Sequence, residues 1–157
     1  MKKELTFELI DLKRTSHITA FKKLLSEYML DEMGSRRPLY PEEASKVVQD
    51  LLKQPNYCGF LAKAGSDYVA MANCFINYST FRGKQLLNIH DYIVTPGYRQ
   101  NGVGHFLMEE IIFYCQSQGY CRINLEVRED NAKAQGLYRK SGFEPCDPNM
   151  FFWERNL

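Results

Sequence analysis

The sequence predicts a single mixed α/β domain over residues 1–157, with elements in the order β-α-α-β-β-β-α-β-α-β-β. Three observations carry that expectation. Apolar residues recur at helical spacing between Ile18 and Leu52. They then give way to aromatic and β-branched runs between Tyr57 and Val94. A double-glycine turn, Gly102-Val103-Gly104, joins the last of those runs to a long apolar-faced segment. Antiparallel runs in the middle of the chain, with helices before and after, build a mixed layer rather than a series of uniform βαβ units.

Residues 6–12 form the first strand, on Phe7, Leu9, Ile10 and Leu12, and the polar group 13–16 ends it. Ile18, Phe21, Leu24, Leu25, Tyr28 and Met29 mark one face of the first helix, with Ser16 as N-cap and Gly34 as stop. After Pro38 and Pro41, the row Ala44, Val47, Val48, Leu51 and Leu52 marks a second helix that Pro55 closes. Residues 57–63 and 68–78 are strands joined by Ala64-Gly65-Ser66-Asp67, and Arg82-Gly83-Lys84-Gln85 turns the chain into a third strand of this meander, 86–94. Phe106, Leu107, Ile111, Ile112 and Cys115 give 103–118 a broad apolar helical face, stopped by Gly119. A strand over 121–127, a short helix over 132–140 capped by Gly142, and final strands over 143–146 and 150–154 complete the order.

The 20 basic and 19 acidic side chains leave a net charge of +1, so the whole molecule carries no strong field for nucleic acid or an anionic membrane. A charged ligand must be held locally. The cysteines Cys58, Cys74, Cys115, Cys121 and Cys146 are odd in number and contain no C-x-x-C pair, which predicts reduced, mostly buried thiols and no metal site. Met1-Lys2-Lys3-Glu4 is followed by no apolar run of signal-peptide length, because Asp11, Lys13 and Arg14 interrupt it. No segment is apolar for long enough to span a bilayer, and the expected location is the cytoplasm.

The glycine turn is the chemically informative feature. Gly102 and Gly104 carry no side chain to block a diphosphate, and the helix that starts there offers free N–H groups and the positive end of its dipole. Arg99 adds a charge nearby. Glycines also simply permit a tight strand-to-helix turn, and the two readings stay open on this turn alone. A Rossmann site has Glu126 on the next strand in its favour. Against it stand Leu107 where the third glycine is required and the residues 95–101 between strand and first glycine. No Lys-Ser or Lys-Thr follows the glycines, which excludes a P-loop.

Arg99-Gln100-Asn101-Gly102-Val103-Gly104 resembles the R/Q-x-x-G-x-G/A signature of the GNAT N-acetyltransferase superfamily. Val94-Thr95-Pro96-Gly97-Tyr98-Arg99 resembles the strand-to-turn joint of that family. Leu125-Glu126-Val127 with Asn131, Ala132, Ala134, Leu137, Tyr138, Lys140, Gly142 and Phe143 resembles its strand, N-x-x-A-x-x-x-Y helix and G-F ending. The resemblance covers residues 86–143 and implies a central, mostly antiparallel twisted sheet whose fourth and fifth strands splay.

It also implies acetyl-CoA as cosubstrate. The pyrophosphate would rest on backbone N–H groups of Gln100, Asn101, Gly102, Val103, Gly104 and His105, and the pantetheine would pair with Tyr92, Ile93 and Val94 as an added strand. Asn131 matches the position whose amide contacts the pantetheine arm, and equally suits an N-cap. Tyr138 matches the tyrosine that protonates the departing thiolate; a core tyrosine is the plain alternative. His90 stands where polyamine-type members carry a glutamate, so it is the expected base ahead of its neighbour Asp91, and the two should point to opposite faces of the strand. A buried histidine bonded to backbone is its structural alternative.

The acids Asp31, Glu32, Glu42 and Glu43 flank the loop 34–41, where the family often places its acceptor, while Arg36-Arg37 offers the opposite charge. The expected activity is acetyl transfer from acetyl-CoA to a primary amine of a small molecule or peptide, directly within a ternary complex. A non-catalytic acyl-CoA-binding or regulatory module of the same fold is the alternative, and a homodimer is compatible with either.

Overall fold

The computed structural model describes residues 4–157. The elements are β1 (Leu5–Leu9), α1 (Thr15–Leu30), α2 (Pro41–Leu51), β2 (Tyr57–Ala64), β3 (Asp67–Ser79), β4 (Lys84–Val94), α3 (Val103–Ser117), β5 (Ile123–Leu125) and α4 (Ala132–Lys140), with a 3₁₀ turn at Pro96–Tyr98. The strands form one sheet in the order β1-β2-β3-β4-β5. All pairings are antiparallel except β4 with β5. The mixed α/β class and the order through α4 are those predicted.

Alternation along the strands divides the core into two layers. Phe60, Ala62, Ala72, Cys74, Leu87 and Ile89 pack against Leu107, Met108 and Ile111 of α3. Leu61, Met71 and Ile93 face the other way, toward Phe21, Leu24 and Leu25 of α1 and Val48 of α2. Phe21, Leu24, Phe60, Leu61, Leu107 and Ile111 are fully shielded from water. Each such side chain contributes about 1.5–3 kcal/mol of burial, so the sheet is fixed from both sides.

Four features depart from the prediction. First, α1 begins at Thr15 with Arg14 as N-cap, which places Ser16 inside the helix. The buried His17 explains the earlier start: its Nδ1 accepts the Asp11 N–H at 2.9 Å, and its Nε2 lies 2.8 Å from Glu8 Oε2. Second, β5 is confined to Ile123–Leu125 rather than 121–127. Third, 143–146 and 150–154 form no strands. Pro145 and Pro148 lack ladder donors, and Phe151, Phe152 and Trp153 follow one another without alternation and remain largely exposed.

The fourth concerns β4. Its register with β3 moves from Cys74 opposite Ile89 to Asn73 opposite Asp91, so His90 is the extra residue of a bulge. The free thiols include Cys58, Cys74 and Cys115, which are buried, and Cys146, which is exposed. Among the described residues no helix is long and apolar enough to cross a membrane.

Candidate functional site

β4 and β5 part company where the bulge lies. Their pairing runs only from Leu87 opposite Ile123 to Ile89 opposite Leu125, whereas β4 continues to Val94. The Thr95 N–H donates to the Val69 carbonyl at 2.9 Å, and Ile93 and Asp91 lie opposite Met71 and Asn73. By the alternation of an antiparallel ladder, the peptide groups of Ile93 and Asp91 turn to β3 while those of Tyr92 and Val94 turn to the open edge. An extended ligand finds backbone donors and acceptors there.

The glycine turn follows directly. Gln100 and Gly102 hold φ of 61° and 83°, and Gly102 caps α3 without a side chain. The first helical bond is from the Phe106 N–H to the Gly102 carbonyl, so the N–H groups of Val103, Gly104 and His105 have no intrahelical acceptor. The two glycines serve different ends. A Cβ on Gly102 would meet nothing within 4 Å, so its requirement is the left-handed backbone. On Gly104 it would lie 3.3 Å from Leu137 Cδ2 and 3.4 Å from Val94 Cγ2, so Gly104 brings α3 close to β4 and α4. The Tyr92 hydroxyl fixes that approach by donating to the Gly104 carbonyl at 2.5 Å.

Arg99 sits beside the turn with its guanidinium already engaged: Nε donates to the Val94 carbonyl at 2.8 Å and Nη2 to Asp31 Oδ2 at 2.7 Å. Burial pushes the Asp31 carboxyl up, but the Met33 N–H and Arg99 outweigh it and hold the group below its ordinary value. The residue is a brace between the end of α1 and the end of β4. His105, in the first turn of α3, has Nδ1 3.3 Å from Ser141 Oγ and 3.7 Å from Glu109 Oε1. Asn101 Nδ2 donates to the Arg99 carbonyl at 3.1 Å. Asn131 is the N-cap of α4, its Oδ1 accepting the Ala134 N–H at 3.1 Å, which leaves only its Nδ2 for a ligand.

Tyr138 borders the open edge of β4 from α4. It is buried, its ring meets Tyr92 edge-on at 6.2 Å and Phe143 at 5.9 Å, and its hydroxyl has no hydrogen-bond partner among the described residues. Burial, with a smaller effect of Tyr28, pushes the phenol up to about 12.

His90 and Asp91 do not point to opposite faces. Asn73 Nδ2 donates to Asp91 Oδ2 at 3.1 Å, and the His90 ring meets Phe75 edge-on at 5.8 Å. Asn73 and Phe75 are two apart on β3 and share a face, so their partners do too. The bulge turns both side chains to the α1 side, with His90 exposed and Asp91 half-buried.

Tyr28 of α1 lies within electrostatic reach of Asp91 and Asp31, although its helical spacing in the sequence reads as core. Burial first, then the carboxylates of Asp91 and Asp31, raise its phenol, and its influence in turn reaches Tyr138. The loop charges are mostly satisfied at home. Arg37 pairs with Glu43 at 3.0 Å, and Arg36 Nε donates to the Glu32 carbonyl at 3.3 Å.

A strand edge that β5 leaves at the bulge, a helix start without a side-chain cap and a tyrosine beside them thus lie together at the end of β4. Residues 20–143 match the acetyltransferase (GNAT) family. The chain belongs to that family. Streptothricin acetyltransferase of Streptomyces lavendulae is 37% identical over 71 residues, which take in 45% of this chain and 36% of that relative. This GNAT chain thus spans about a third of the length of that relative. Thialysine N-epsilon-acetyltransferase of Bos taurus is 23% identical over 133 residues, covering 83% of this chain and 75% of the relative. A solved aminoglycoside acetyltransferase from an uncultured soil metagenomic sample, in complex with sisomicin, superposes with a TM-score of 0.79 at 16% identity, over 98% of this chain and 97% of that one. At that identity the likeness is one of fold.

Proposed function

We propose that this GNAT chain transfers the acetyl group of acetyl-CoA to a primary amine of a small molecule or peptide, by direct attack within a ternary complex. One observation carries the reading: the unpaired edge of β4 leads into a helix start with free N–H groups, with Tyr138 against Tyr92 on one side of the strand and Asp91, held by Asn73, on the other. That edge fits an extended arm, and the turn fits an anionic diphosphate.

The cosubstrate supplies the acetyl thioester. The backbone N–H groups from Gln100 to His105 hold the diphosphate, and the outward peptide groups of Tyr92 with the Val94 N–H hold the arm. The amine enters from the α1 side, where Asp91 and His90 accept its proton before or during attack. As the new N–C bond forms and the C–S bond breaks, Tyr138 delivers its phenolic proton to the departing sulfur and recovers one from solvent. A phenol near 12 is fully protonated at neutral pH, as that role requires.

The test incubates the protein with acetyl-CoA and a panel of sisomicin, streptothricin and thialysine, the amines named with its relatives, and follows thiol release. Thiol appearing in step with the acetylated amine by mass spectrometry supports the reading. Tight acetyl-CoA binding without transfer to any of the panel points instead to a binding module.

A further inference from the structure

Asn73 is polar, nearly fully buried at 4% exposure, and lies within the apolar stretch 69–76 of β3. Its two ends are both used. Nδ2 donates to Asp91 Oδ2 at 3.1 Å, and Oδ1 accepts from the Tyr57 hydroxyl at 2.9 Å. The amide therefore has one orientation, because a flip would set its oxygen against the acceptor-only carboxylate.

Tyr57 reaches Asn73 because of a glycine. Gly59 lies directly opposite Asn73 in the β2–β3 pairing. A Cβ there would fall 2.4 Å from Tyr57 Oη and 2.6 Å from Ile10 Cδ1. Gly59 has no positive φ, so its missing side chain serves space and not backbone conformation. The Tyr57 ring also meets Phe75 edge-on at 5.9 Å, and Phe75 meets His90 at 5.8 Å. One tyrosine thus stands behind both residues of the bulge, through a hydrogen-bond arm to Asp91 and a ring-contact arm to His90.

We propose that Tyr57 and Asn73 are positioning residues: they hold one oxygen of Asp91 so that the other faces the incoming amine, and Gly59 is the space that makes this possible. The inference rests on the transferase reading above, and deepens it by naming what orients the base. A carboxylate fixed by one donor in a low-dielectric setting has its remaining lone pairs directed, whereas a free one rotates and accepts the amine proton from a fraction of its rotamers.

The test uses Tyr57→Phe, which keeps the ring contact with Phe75 and removes only the hydroxyl, with Gly59→Ala and the double variant, on whichever amine of the panel turns over. Each single variant should lower kcat about tenfold, with KM for the amine and the dissociation constant for acetyl-CoA within about twofold of wild type. The double variant should be no slower than either single one, since both remove the same hydroxyl contact. A Tyr57→Phe kcat within about threefold of wild type overturns the proposal, as do two losses that multiply, because a merely structural pair behaves that way. Exchange of the Asn73 side-chain amide protons, followed by NMR, decides the same point without an acceptor. Exchange at least about tenfold faster in Tyr57→Phe supports the chain of hydrogen bonds, and unchanged exchange overturns it. An absence of turnover on all amines would count against the transferase reading alone, since the exchange measurement still decides the positioning.

Discussion

His90 and Asp91 face the same side of the sheet although they are consecutive in β4, because His90 is the unpaired residue of the bulge opposite Asn73 and Cys74. The consequence is chemical. Two side chains that can accept a proton share the α1 side of the sheet, and they differ in support: Asp91 receives a hydrogen bond from the buried Asn73, whereas His90 is exposed and meets the Phe75 ring. The family position favours His90 as base; we propose Asp91 instead, on the strength of that hydrogen bond.

Asp91→Asn keeps the size of the side chain and removes its capacity to take a proton. On a verified amine it should lower kcat about 100-fold, in the ordinary range for a general base, while His90→Ala loses less than about tenfold. Steady-state rates at saturating acetyl-CoA decide between them. A greater loss in His90→Ala restores the histidine as base.

The glycines of the turn should separate in the same kind of experiment. Gly102→Ala forces a Cβ into a φ of 83° with open space around it, so about 1 kcal/mol of stability is lost through backbone strain and acetyl-CoA affinity falls with the distorted turn. Gly104→Val presses on Leu137 and Val94 at 3.3 and 3.4 Å and parts α3 from β4, costing about 1–3 kcal/mol of overpacking. Urea denaturation beside calorimetric acetyl-CoA titration measures both. Equal stability losses would contradict the division of roles.

Most of the fold was legible because its signals are local: the helical rows of α1 and α2, the aromatic runs of β2 and β3, and Gly119 after α3. The glycine motif and Tyr138 were likewise readable as spacing. The bulge was not. Nothing in Ile89-His90-Asp91-Tyr92 marks the extra residue, since a bulge is a property of the pairing and Asn73, its partner, lies 18 residues away in sequence. Arg99 was read as a charge for the ligand because its brace, Asp31, is 68 residues distant. One sequence signal does point there: a lone asparagine within the apolar stretch 69–76 announces a buried partner.

The Asp31–Arg99 brace makes stability acid-sensitive in a defined direction. The Asp31 carboxyl is held below its unfolded value, so its contribution is fully present above about pH 4 and is lost as pH falls through the lower folded value. Asp31→Asn should therefore be less stable than wild type at neutral pH, with the difference shrinking as pH falls below about 4. Thermal melts across that range test the sign. A difference that widens on acidification contradicts the assignment.

Tyr138 stands beside the open edge of β4, with its ring held between Tyr92 and Phe143 and its hydroxyl unengaged among the described residues, which suits a proton donor to a group bound along that edge. Tyr138→Phe keeps the ring contacts, so folding and acetyl-CoA affinity should change little while turnover falls. General acids contribute roughly 10²- to 10⁴-fold, or about 2.7–5.4 kcal/mol of barrier. Thiolate leaves readily without a proton, and a phenol raised to about 12 is a weak donor, so the loss should sit at the low end, near 100-fold. The same raised value has a second consequence. The phenol remains protonated from neutral pH to about pH 10, so the rate should show no alkaline decline from Tyr138 in that interval, unlike an acid of ordinary tyrosine pKa, which would be half ionised at its end. A Tyr138→Phe enzyme within about threefold of wild type, with chemistry rate-limiting, removes the phenol from the reaction and leaves it as part of the wall that packs α4 on β4.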